Sequence, residues 1–420
     1  MKNNIQLLVL FFYSISISSQ TVTTFAGGCS EGLHGLVNGT GSAARFSYPR
    51  SIAVDALGNF FIADSGNNSI RKITPSAVVT TLGGMTYNNP YGIAVDASGN
   101  VYVADTMNNK ILKVNAGSST SHSFAGSGVV GNTDGIGVAA EFNTPMGIAV
   151  DVNGNVYVAD TYNHRIRKID TNGLVTTIAG SSQGNINGSV TNAQFNMPCG
   201  VALDTGGNIF IADRNNNQIK KIDINGMVSN YIGNGSPGEI DGVGSIVQFS
   251  NPIGLAIDTQ NNIYVVSNGR DCIRKVTTSG VVTTIAGYDE TWGSCINGVG
   301  TNAQFLHPND LVVAPSGDIY VADTGSHTIR KITNLLSTND YKLEDKINLS
   351  PNPASDKITI TMDNFTTATT TILDMNGRVL QNDLISENNT SIVISNLLKG
   401  IYLMQITTDK GTVSKKIVKE

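Results

Sequence analysis

Residues 145–169 read PMGIAVDVNGNVYVADTYNHRIRKI, and related phrases recur along most of the chain. The other copies begin at Pro49, Pro90, Pro198, Pro252 and Pro308. In five of the six copies an Ala-Asp pair gives a common landmark, and in the fifth copy Val-Ser takes its place. The landmark positions are Asp64, Asp105, Asp160, Asp213, Ser267 and Asp323. Their spacing of 41 to 56 residues fits one supersecondary unit per repeat, as in the blades of a propeller.

Each repeat divides into four short β-strands. In the copy at 145–169, GIAVD predicts strand A, NVYVAD strand B and RIRKI strand C, and VTTIAG at 175–180 predicts strand D. A D-x-x-G-N turn joins strands A and B, with glycine where a hairpin needs positive φ. Strand B is apolar without alternation, as expected for a strand that is covered on both faces.

The number of strands predicts how the ring closes. Six A–B–C units occur, but only five D strands follow them, at 79–84, 122–126, 175–180, 228–233 and 282–287. The sixth copy, VTTFAG at Val22–Gly27, precedes all the other repeats. We therefore predict an all-β fold, a six-bladed β-propeller over residues 21–333 in which the N-terminal strand completes the last blade and leaves no open edge.

The two ends of the chain differ from the repeats. Residues 1–20 have the layout of a signal peptide, with Lys2, an apolar run at 5–17 and small residues near the expected cleavage site at 18–20. This run is shorter than the roughly 20 residues that span a membrane, and we expect no transmembrane segment. Residues 334–346 are polar and predict a linker. Residues 347–420 alternate short β segments with turns, which predicts a small β-sandwich domain.

Composition narrows the function classes. The net charge is −5 and only 14% of residues are charged, so nothing attracts the chain to nucleic acid. We expect a monomer without a nucleic-acid partner.

Two resemblances follow from these motifs. GNVYVAD followed by TYNHRIRKI resembles the NHL-repeat family of six-bladed propellers, over roughly residues 21–333. At the C-terminus, N-P-A-x-D, D-x-x-G-R and L-x-x-G-x-Y occur in the order typical of type IX (Por) secretion sorting domains of Bacteroidetes-type bacteria. That resemblance implies type IX secretion machinery as a partner, followed by release or attachment at the cell surface.

The loops before strand A suggest a binding face. Five D-to-A loops carry [DN]-G-x6-F-x-x-P, and blade two lacks the insertion. Their phenylalanines are predicted to wedge between blades: Phe46, Phe142, Phe195, Phe249 and Phe305. These loops and the B–C hairpins are expected on one face, the long-loop face. We predict that it binds a protein, peptide or glycan, because long loops on a rigid scaffold often carry function.

The candidate site is the channel mouth on this face. The residues after each strand-A proline are Arg50, Tyr91, Met146, Cys199, Ile253 and Asn309. We take Arg50, Tyr91, Met146, Asn309 and Asp310 as candidate binding residues. Blade six also departs from the repeat, with Asn309-Asp310 where the others read x-Gly or x-Ser.

An enzymatic alternative stays open, because some propellers with these repeats are zinc-dependent lyases and related lactonases use a metal-held water. It would be a metal-dependent extracellular hydrolase or lyase, lactonase-like or amidating-lyase-like, acting at the channel mouth. No cofactor is evident, although Ca²⁺ or Zn²⁺ in the channel would be compatible. His164 and His327 fall on opposite sides of the ring, and no nucleophile–base set emerges, so we assign no catalytic or metal-binding residue.

The remaining polar residues receive structural interpretations. We expect each aspartate that ends strand A to cap its own turn, and the landmark aspartates to do the same. The paired basic residues of strand C predict a solvated belt. Of the three disulfide connectivities, Cys29–Cys295 with Cys199–Cys272 fits the loop positions best.

Overall fold

The computed structural model describes residues 20–29, 34–82, 87–287, 295–333, 347–362, 368–374, 378–385, 389–408 and 411–420. The predicted signal peptide, apart from Gln20, and the predicted linker lie outside these residues. The chain divides into two compact units, Met1–Leu335 and Leu336–Glu420.

The described part of the first unit contains six antiparallel sheets, each of which is one blade. Strands A are Pro49–Val54, Ile93–Val95, Pro145–Val150, Pro198–Leu203, Pro252–Ile257 and Pro308–Val313. Strands B are Phe60–Asp64, Val101–Asp105, Val156–Asp160, Ile209–Asp213, Ile263–Ser267 and Ile319–Asp323. Strands C are Ser69–Ile73, Lys110–Val114, Arg165–Ile169, Gln218–Ile222, Cys272–Val276 and Thr328–Thr333. Strands D of blades one to five are Val78–Leu82, Ser121–Ala125, Leu174–Ala179, Met227–Ile232 and Val281–Ala286.

The N-terminal strand closes the ring, as predicted. Thr21–Ala26 pairs antiparallel with strand C of blade six, with Val22 opposite Ile332. Each strand A contacts strand A of the next blade in cyclic order, and that of blade six contacts that of blade one. The central channel is therefore lined by six strands A, and the two ends of the propeller chain share one sheet.

A fifth, two-residue strand extends five of the blades. These strands are Gly39–Thr40, Gly135–Ile136, Gly188–Ser189, Gly242–Val243 and Gly298–Val299, each paired with a strand D. They come from the long D-to-A loops, so each insertion covers the outer edge of its own blade. Nine short 3₁₀ turns occur in the described residues: Gly41–Ala43, Ser65–Asn67, Thr106–Asn108, Gly137–Ala139, Thr161–Asn163, Arg214–Asn216, Gly244–Ile246, Asn268–Arg270 and Gly300–Asn302.

The core lies between neighbouring blades. Phe46 packs in one buried cluster with Phe60 of blade one and Ile329 of blade six. The equivalent phenylalanines of the other long loops are likewise no more than 1% exposed. Near the channel the strands approach closely, since a Cβ added at Gly147 would lie 1.9 Å from the Cys199 carbonyl oxygen. Apolar burial between sheets, rather than within one sheet, therefore holds the ring together.

The predicted solvated belt on strand C is wrong for the first residue of each basic pair. Arg71, Arg167, Lys220, Arg274 and Arg330 are fully buried. Arg71 shows why, because its guanidinium donates to the carbonyl oxygens of Arg45 and Val37 and to Asn38 in the long loop. The guanidinium also lies 5.1 Å from the Phe46 ring centroid. The buried arginine therefore holds the long-loop insertion against the blade. Blade two lacks the insertion and has Leu112 at the position of Arg71.

The second residue of each basic pair points to the other side of the sheet. Lys72 lies over the Phe61 ring at 5.7 Å, and Lys168 lies over the Tyr157 ring at 5.6 Å. Lys113, Lys221, Lys275 and Lys331 repeat this arrangement in the other blades. These lysines are the part of the expected belt that covers apolar surface.

The landmark aspartates also differ from prediction. Asp64 does not cap its own turn; its Oδ1 accepts from the Ser47 N–H at 2.7 Å and its Oδ2 pairs with Arg71 at 2.8 Å. Burial raises the pKa of Asp64 although these donors oppose it. The aspartates that end strand A do cap their turns, as the Asp151 Oδ1 contacts with the N–H groups of Asn153 and Asn155 show.

The cysteines form one of the two predicted pairs. A disulfide joins Cys29 to Cys295, with their Cα atoms 5.5 Å apart. The predicted Cys199–Cys272 pair is wrong, since both thiols are free and buried. Cys199 belongs to a strand that lines the channel, whereas Cys272 opens strand C of blade five and lies 3.5 Å from a Glu239 carboxylate oxygen.

The described part of the second unit is a pair of antiparallel sheets. One sheet contains Ile347–Ser350, Lys357–Met362 and Asn389–Val393. The other contains Ala368–Leu373, Val379–Ile385, Gly400–Thr408 and Gly411–Lys419. Ile358 and Ile360 of the first sheet share one buried cluster with Ile372, Met404 and Ile406 of the second. Two sheets over one core make the β-sandwich that the sequence predicts.

Candidate functional site

The long D-to-A loops and the B–C hairpins lie on the same face, as predicted. In blade one, the Gly66 N–H in the hairpin donates to the Ser47 carbonyl oxygen in the loop at 2.8 Å. In blade three, the Asn163 side chain donates to the Gly131 carbonyl oxygen at 2.7 Å. The loops are thus fixed on the hairpins, and together they surround one end of the channel.

Side chains that follow strand B link each blade to the next. Thr106 donates to the Pro145 carbonyl oxygen at 2.7 Å, and Thr161 donates to that of Pro198 at 2.8 Å. Ser65, Asn268 and Thr324 make the equivalent bonds to Pro90, Pro308 and Pro49. We call these inter-blade bonds latches. Blade four has Arg214 at the latch position.

A cavity of about 290 Å³ lies at the channel mouth on this face. Its lining comes from the starts of strands A and from the hairpins: Tyr48, Arg50, Tyr91, Met146, Arg214, Ile253, Asn268, His307, Asn309, Thr324 and Gly325. The lining includes two arginines and no aspartate or glutamate. The mouth is therefore cationic, although the whole chain carries a net charge of −5.

Three predicted site residues form one connected group in this cavity. The Arg50 guanidinium lies over the Tyr91 ring, 5.0 Å from its centroid. The Tyr91 hydroxyl donates to Asn309 Oδ1 at 2.8 Å. Tyr91 lies two residues before strand A of blade two, and Asn309 lies in strand A of blade six. The bond therefore joins two blades that are separated by blade one. Met146 adds an apolar wall beside the thiol of Cys199, with the two sulfur atoms 3.8 Å apart.

Several donors in this group have no partner. Asn309 is 5% exposed, its Oδ1 is occupied by Tyr91, and its Nδ2 makes no hydrogen bond. Arg50 Nε and Arg214 Nε are also buried without partners. Among the described residues, no carboxylate lies within ion-pair distance of either arginine. The Nε atoms of Arg71, Arg167 and Arg330 in the blades are buried without partners too, so the free amide donor of Asn309 is the feature that sets this group apart. An unpaired buried donor is costly, and an acceptor that reaches it stabilises the site.

The neighbouring acidic groups do not neutralise the arginines. Burial raises the pKa of Tyr91 to about 12 and that of Cys199 to about 11, so both groups are neutral at pH 7. The positive charge of the two arginines at the mouth is therefore compensated only by solvent or by a ligand.

Asp310 lies deeper than the other predicted residues. It lines a second cavity, of about 300 Å³, whose walls are the six strands A. The Ser51 hydroxyl donates to Asp310 Oδ2 and accepts from the Ile93 N–H at 3.2 Å. Burial raises the pKa of Asp310 to about 7. In blades two to five a glycine occupies this place in strand A, so the Ser51–Asp310 contact belongs to the seam where the ring closes.

The hairpin histidines have structural partners. His164 Nδ1 accepts from the Met197 N–H at 3.1 Å, and His327 Nδ1 accepts from the Tyr48 N–H at 3.0 Å. Asn109 fills the same role in blade two with its side-chain oxygen. Within the part of the chain that the structure describes, no three metal-ligating side chains come together.

The structure thus brings four predicted residues, Arg50, Tyr91, Met146 and Asn309, into one cavity and places Asp310 below it. Sequence reasoning missed Arg214. The signal was present, because Ala-Asp-Arg breaks a pattern in which the residue after Ala-Asp is serine or threonine. With Arg214 at this position, blade four loses the latch hydrogen bond to blade five, and the channel mouth gains a second guanidinium group.

Comparison with known proteins agrees with the propeller repeats and with the C-terminal domain. The sequence model of the NHL repeat matches residues 46–73, 142–169, 195–222 and 305–332. The model of the secretion system C-terminal sorting domain matches residues 348–420. The chain carries NHL repeats and a type IX sorting domain. It is a type IX secreted protein, either extracellular or attached to the cell surface. No helix among the described residues is long and apolar enough to span a bilayer.

The NHL repeats are similar to parts of much longer proteins. The chain is 37% identical over 97 residues to the protein SUPPRESSOR OF QUENCHING 1 of Arabidopsis thaliana, covering 23% of this chain and 9% of that protein. It is 38% identical over 99 residues to human NHL repeat-containing protein 2, covering 22% and 14%. The aligned part thus spans about a tenth of the length of these relatives.

Solved structures share the propeller. An auxiliary nutrient binding protein from Bacteroides thetaiotaomicron superposes with a TM-score of 0.60 at 17% sequence identity, covering 75% of this chain and 76% of that one. At this identity the similarity concerns the fold.

Proposed function

We propose that this protein is a secreted binding propeller that holds a protein, peptide or glycan ligand at the mouth cavity of its long-loop face. The unpaired Nδ2 of Asn309 carries the proposal. Asn309 lines the 290 Å³ cavity, is 5% exposed and has an unpaired donor, so a ligand that accepts from this donor stabilises the amide. The type IX sorting domain fits a protein that meets its ligand outside the cell.

Binding is favoured over the metal-dependent hydrolase or lyase by the charge of the mouth. Arg50 and Arg214 both face the cavity, and two guanidinium groups disfavour a divalent cation beside them. The similar fold of the auxiliary nutrient binding protein is compatible with a binding role, but at 17% identity its ligand does not transfer.

The test is a screen of the full chain on peptide and glycan arrays, repeated with a variant that fills the mouth. Met146→Trp places an indole in the cavity and is expected to abolish binding of the array ligands. Val152→Trp is the matched control, because Val152 is 95% exposed in the A–B turn of blade three, on the opposite face.

Val152→Trp is expected to unfold within about 2 °C of the parent, since Val152 is 95% exposed. Met146 packs against a buried cluster that includes Cys199 and Ile253, so thermal unfolding of Met146→Trp checks that a loss of binding is not a loss of the fold. The proposal fails if Met146→Trp keeps the binding of every array ligand, or if Val152→Trp removes it as well.

A further inference from the structure

The mouth cavity also indicates which chemical group its ligand presents. We propose that the cavity binds a carboxylate, held by Arg50, Arg214 and the free Nδ2 of Asn309. This inference rests on the proposed function and adds the chemistry of the ligand to it.

The first argument is the sign of the charge. The cavity lining contains two arginines and no acidic side chain. Elsewhere in the propeller the buried arginines have carboxylate partners, such as Asp64 for Arg71 at 2.8 Å and Asp160 for Arg167 at 2.7 Å. Arg50 and Arg214 are partly buried, and no described carboxylate lies within ion-pair distance of either one. An anion that enters the cavity meets positive charge that the protein has not neutralised.

The second argument is the replacement at the latch position. In the other five blades this side chain bonds to the next blade and stabilises the ring. Arg214 lines the cavity instead. Blade four thus lacks a structural bond that a threonine would supply, and the guanidinium it carries instead suits planar oxyanions.

The third argument selects a carboxylate on a partly apolar group. The charged side of the cavity adjoins Met146 and the 4% exposed Ile253. Tyr91 offers an aromatic face whose other side is taken by Arg50. A free peptide carboxyl terminus with an apolar last residue would match this division, and so would a uronic acid. Both carry the same group, so the test has one arm for each source.

The experiment compares acids with their neutral counterparts in calorimetric titrations of the full chain. The peptide arm uses N-acetyl-leucyl-leucine and its C-terminal amide, and the sugar arm uses digalacturonic acid and its dimethyl ester. In at least one arm the acid is expected to bind about tenfold or more tightly than the neutral compound, because charge-assisted hydrogen bonds are roughly twice as strong as neutral ones. That preference is expected to weaken as salt is added.

Arg214→Thr is the decisive variant. It removes the guanidinium and restores the latch residue of blades two, three and six, so its thermal stability is expected to equal or exceed that of the parent. The acid preference is expected to fall by about tenfold, and Arg50→Gln is expected to have a similar effect. Arg270→Thr is the matched control, since Arg270 is an exposed arginine of a hairpin on the same face outside the cavity.

The outcomes separate the two proposals. If array ligands bind in a way that Met146→Trp abolishes, but acids show no advantage over neutral compounds in either arm, the carboxylate inference is wrong and the binding function stands. If the acid preference survives Arg214→Thr, or Arg270→Thr removes it equally, the inference is also wrong. If Met146→Trp leaves the binding of the array ligands intact, the proposed function itself fails.

Discussion

Glu239 shows how one side chain repairs a lost repeat residue. Blade five has Ser267 where four other blades place the buried aspartate that pairs with the strand-C cation. Glu239 reaches in from the long loop, so that its Oε2 lies 2.6 Å from Arg274 and its Oε1 accepts from the Ser250 N–H. The Ser267 hydroxyl donates to the same carboxylate. In blade five, the carboxylate that pairs with the strand-C arginine therefore comes from Glu239 in the long loop and not from strand B.

Glu239→Gln is expected to lower the free energy of unfolding by about 2 kcal/mol, because Arg274 keeps only the half-exposed Asp241 as a charged partner. Urea denaturation of the full chain measures this loss. The double variant Glu239→Gln, Ser267→Asp should regain most of it by restoring the usual aspartate. If the double variant were as unstable as the single one, Glu239 would not be a substitute for the usual aspartate.

Asp310 gives stability a defined pH dependence. Its pKa is raised from 3.8 to about 7 by burial, so between these values the folded state holds a proton that the unfolded chain has released. This contribution is fully present below about pH 4 and is lost as the pH rises towards 7. Asp310→Asn does not titrate and should therefore gain in stability relative to the parent, by about 4 kcal/mol between pH 4 and pH 8. Denaturation curves of the parent and the variant at pH 4 and pH 8 test this prediction. If the stability of Asp310→Asn relative to the parent decreased with rising pH, the prediction would be wrong.

At the scale of elements, the N-terminal strand decides whether the ring stays closed. Thr21–Ala26 pairs with strand C of blade six and with the two-residue strand Gly298–Val299. Val22 is fully buried in the cluster formed with Ile332, whereas Thr23 beside it is exposed. The strand therefore has one face that matters for stability and one that does not.

Val22→Asp is expected to destabilise the fold by about 3–5 kcal/mol, because it buries an unpaired charge at the seam. Thr23→Asp puts the same charge in the same strand on the exposed side and should cost about 0.5 kcal/mol or less. Thermal unfolding of the two variants separates the effects. Equal losses would mean that this strand is not part of the core.

The repeat made most of this architecture predictable, since six copies and a displaced sixth strand D leave little choice of topology. The burial of Arg71 was not predictable from its position, because Arg-Lys pairs look the same whether the arginine points into the blade or into water. One hint was present in blade two, which has Leu112 at the position of Arg71 and also lacks the long-loop insertion. The joint absence indicates that the buried cation and the insertion belong together. The position of Asn309 in the mouth followed from the repeat, but its unpaired donor depends on where Tyr91 points, and one sequence does not show that.

At the scale of the whole molecule, the disulfide ties the closing strand to the last blade. Cys29 follows Thr21–Ala26, and Cys295 precedes the two-residue strand that pairs with it. The joined cysteines are 266 positions apart in sequence. A crosslink over a loop of this size restricts the unfolded chain strongly. The disulfide therefore stabilises the closed ring.

Replacing both cysteines, Cys29→Ser with Cys295→Ser, should lower the free energy of unfolding by about 2–4 kcal/mol. Unfolding of the parent in reducing buffer should show the same loss. The double variant should not respond to reductant, since Cys199 and Cys272 are free and buried. A reductant effect that persists in the double variant would place a second disulfide in the protein.

The most direct measurement is a crystal structure of the full chain with a ligand obtained from the arrays. We predict density in the mouth cavity, with a ligand oxygen within hydrogen-bond distance of Asn309 Nδ2 and the ligand beside Arg50 and Arg214. A ligand bound on the opposite face, or on the outer edges of the blades with the mouth unoccupied, would contradict the account.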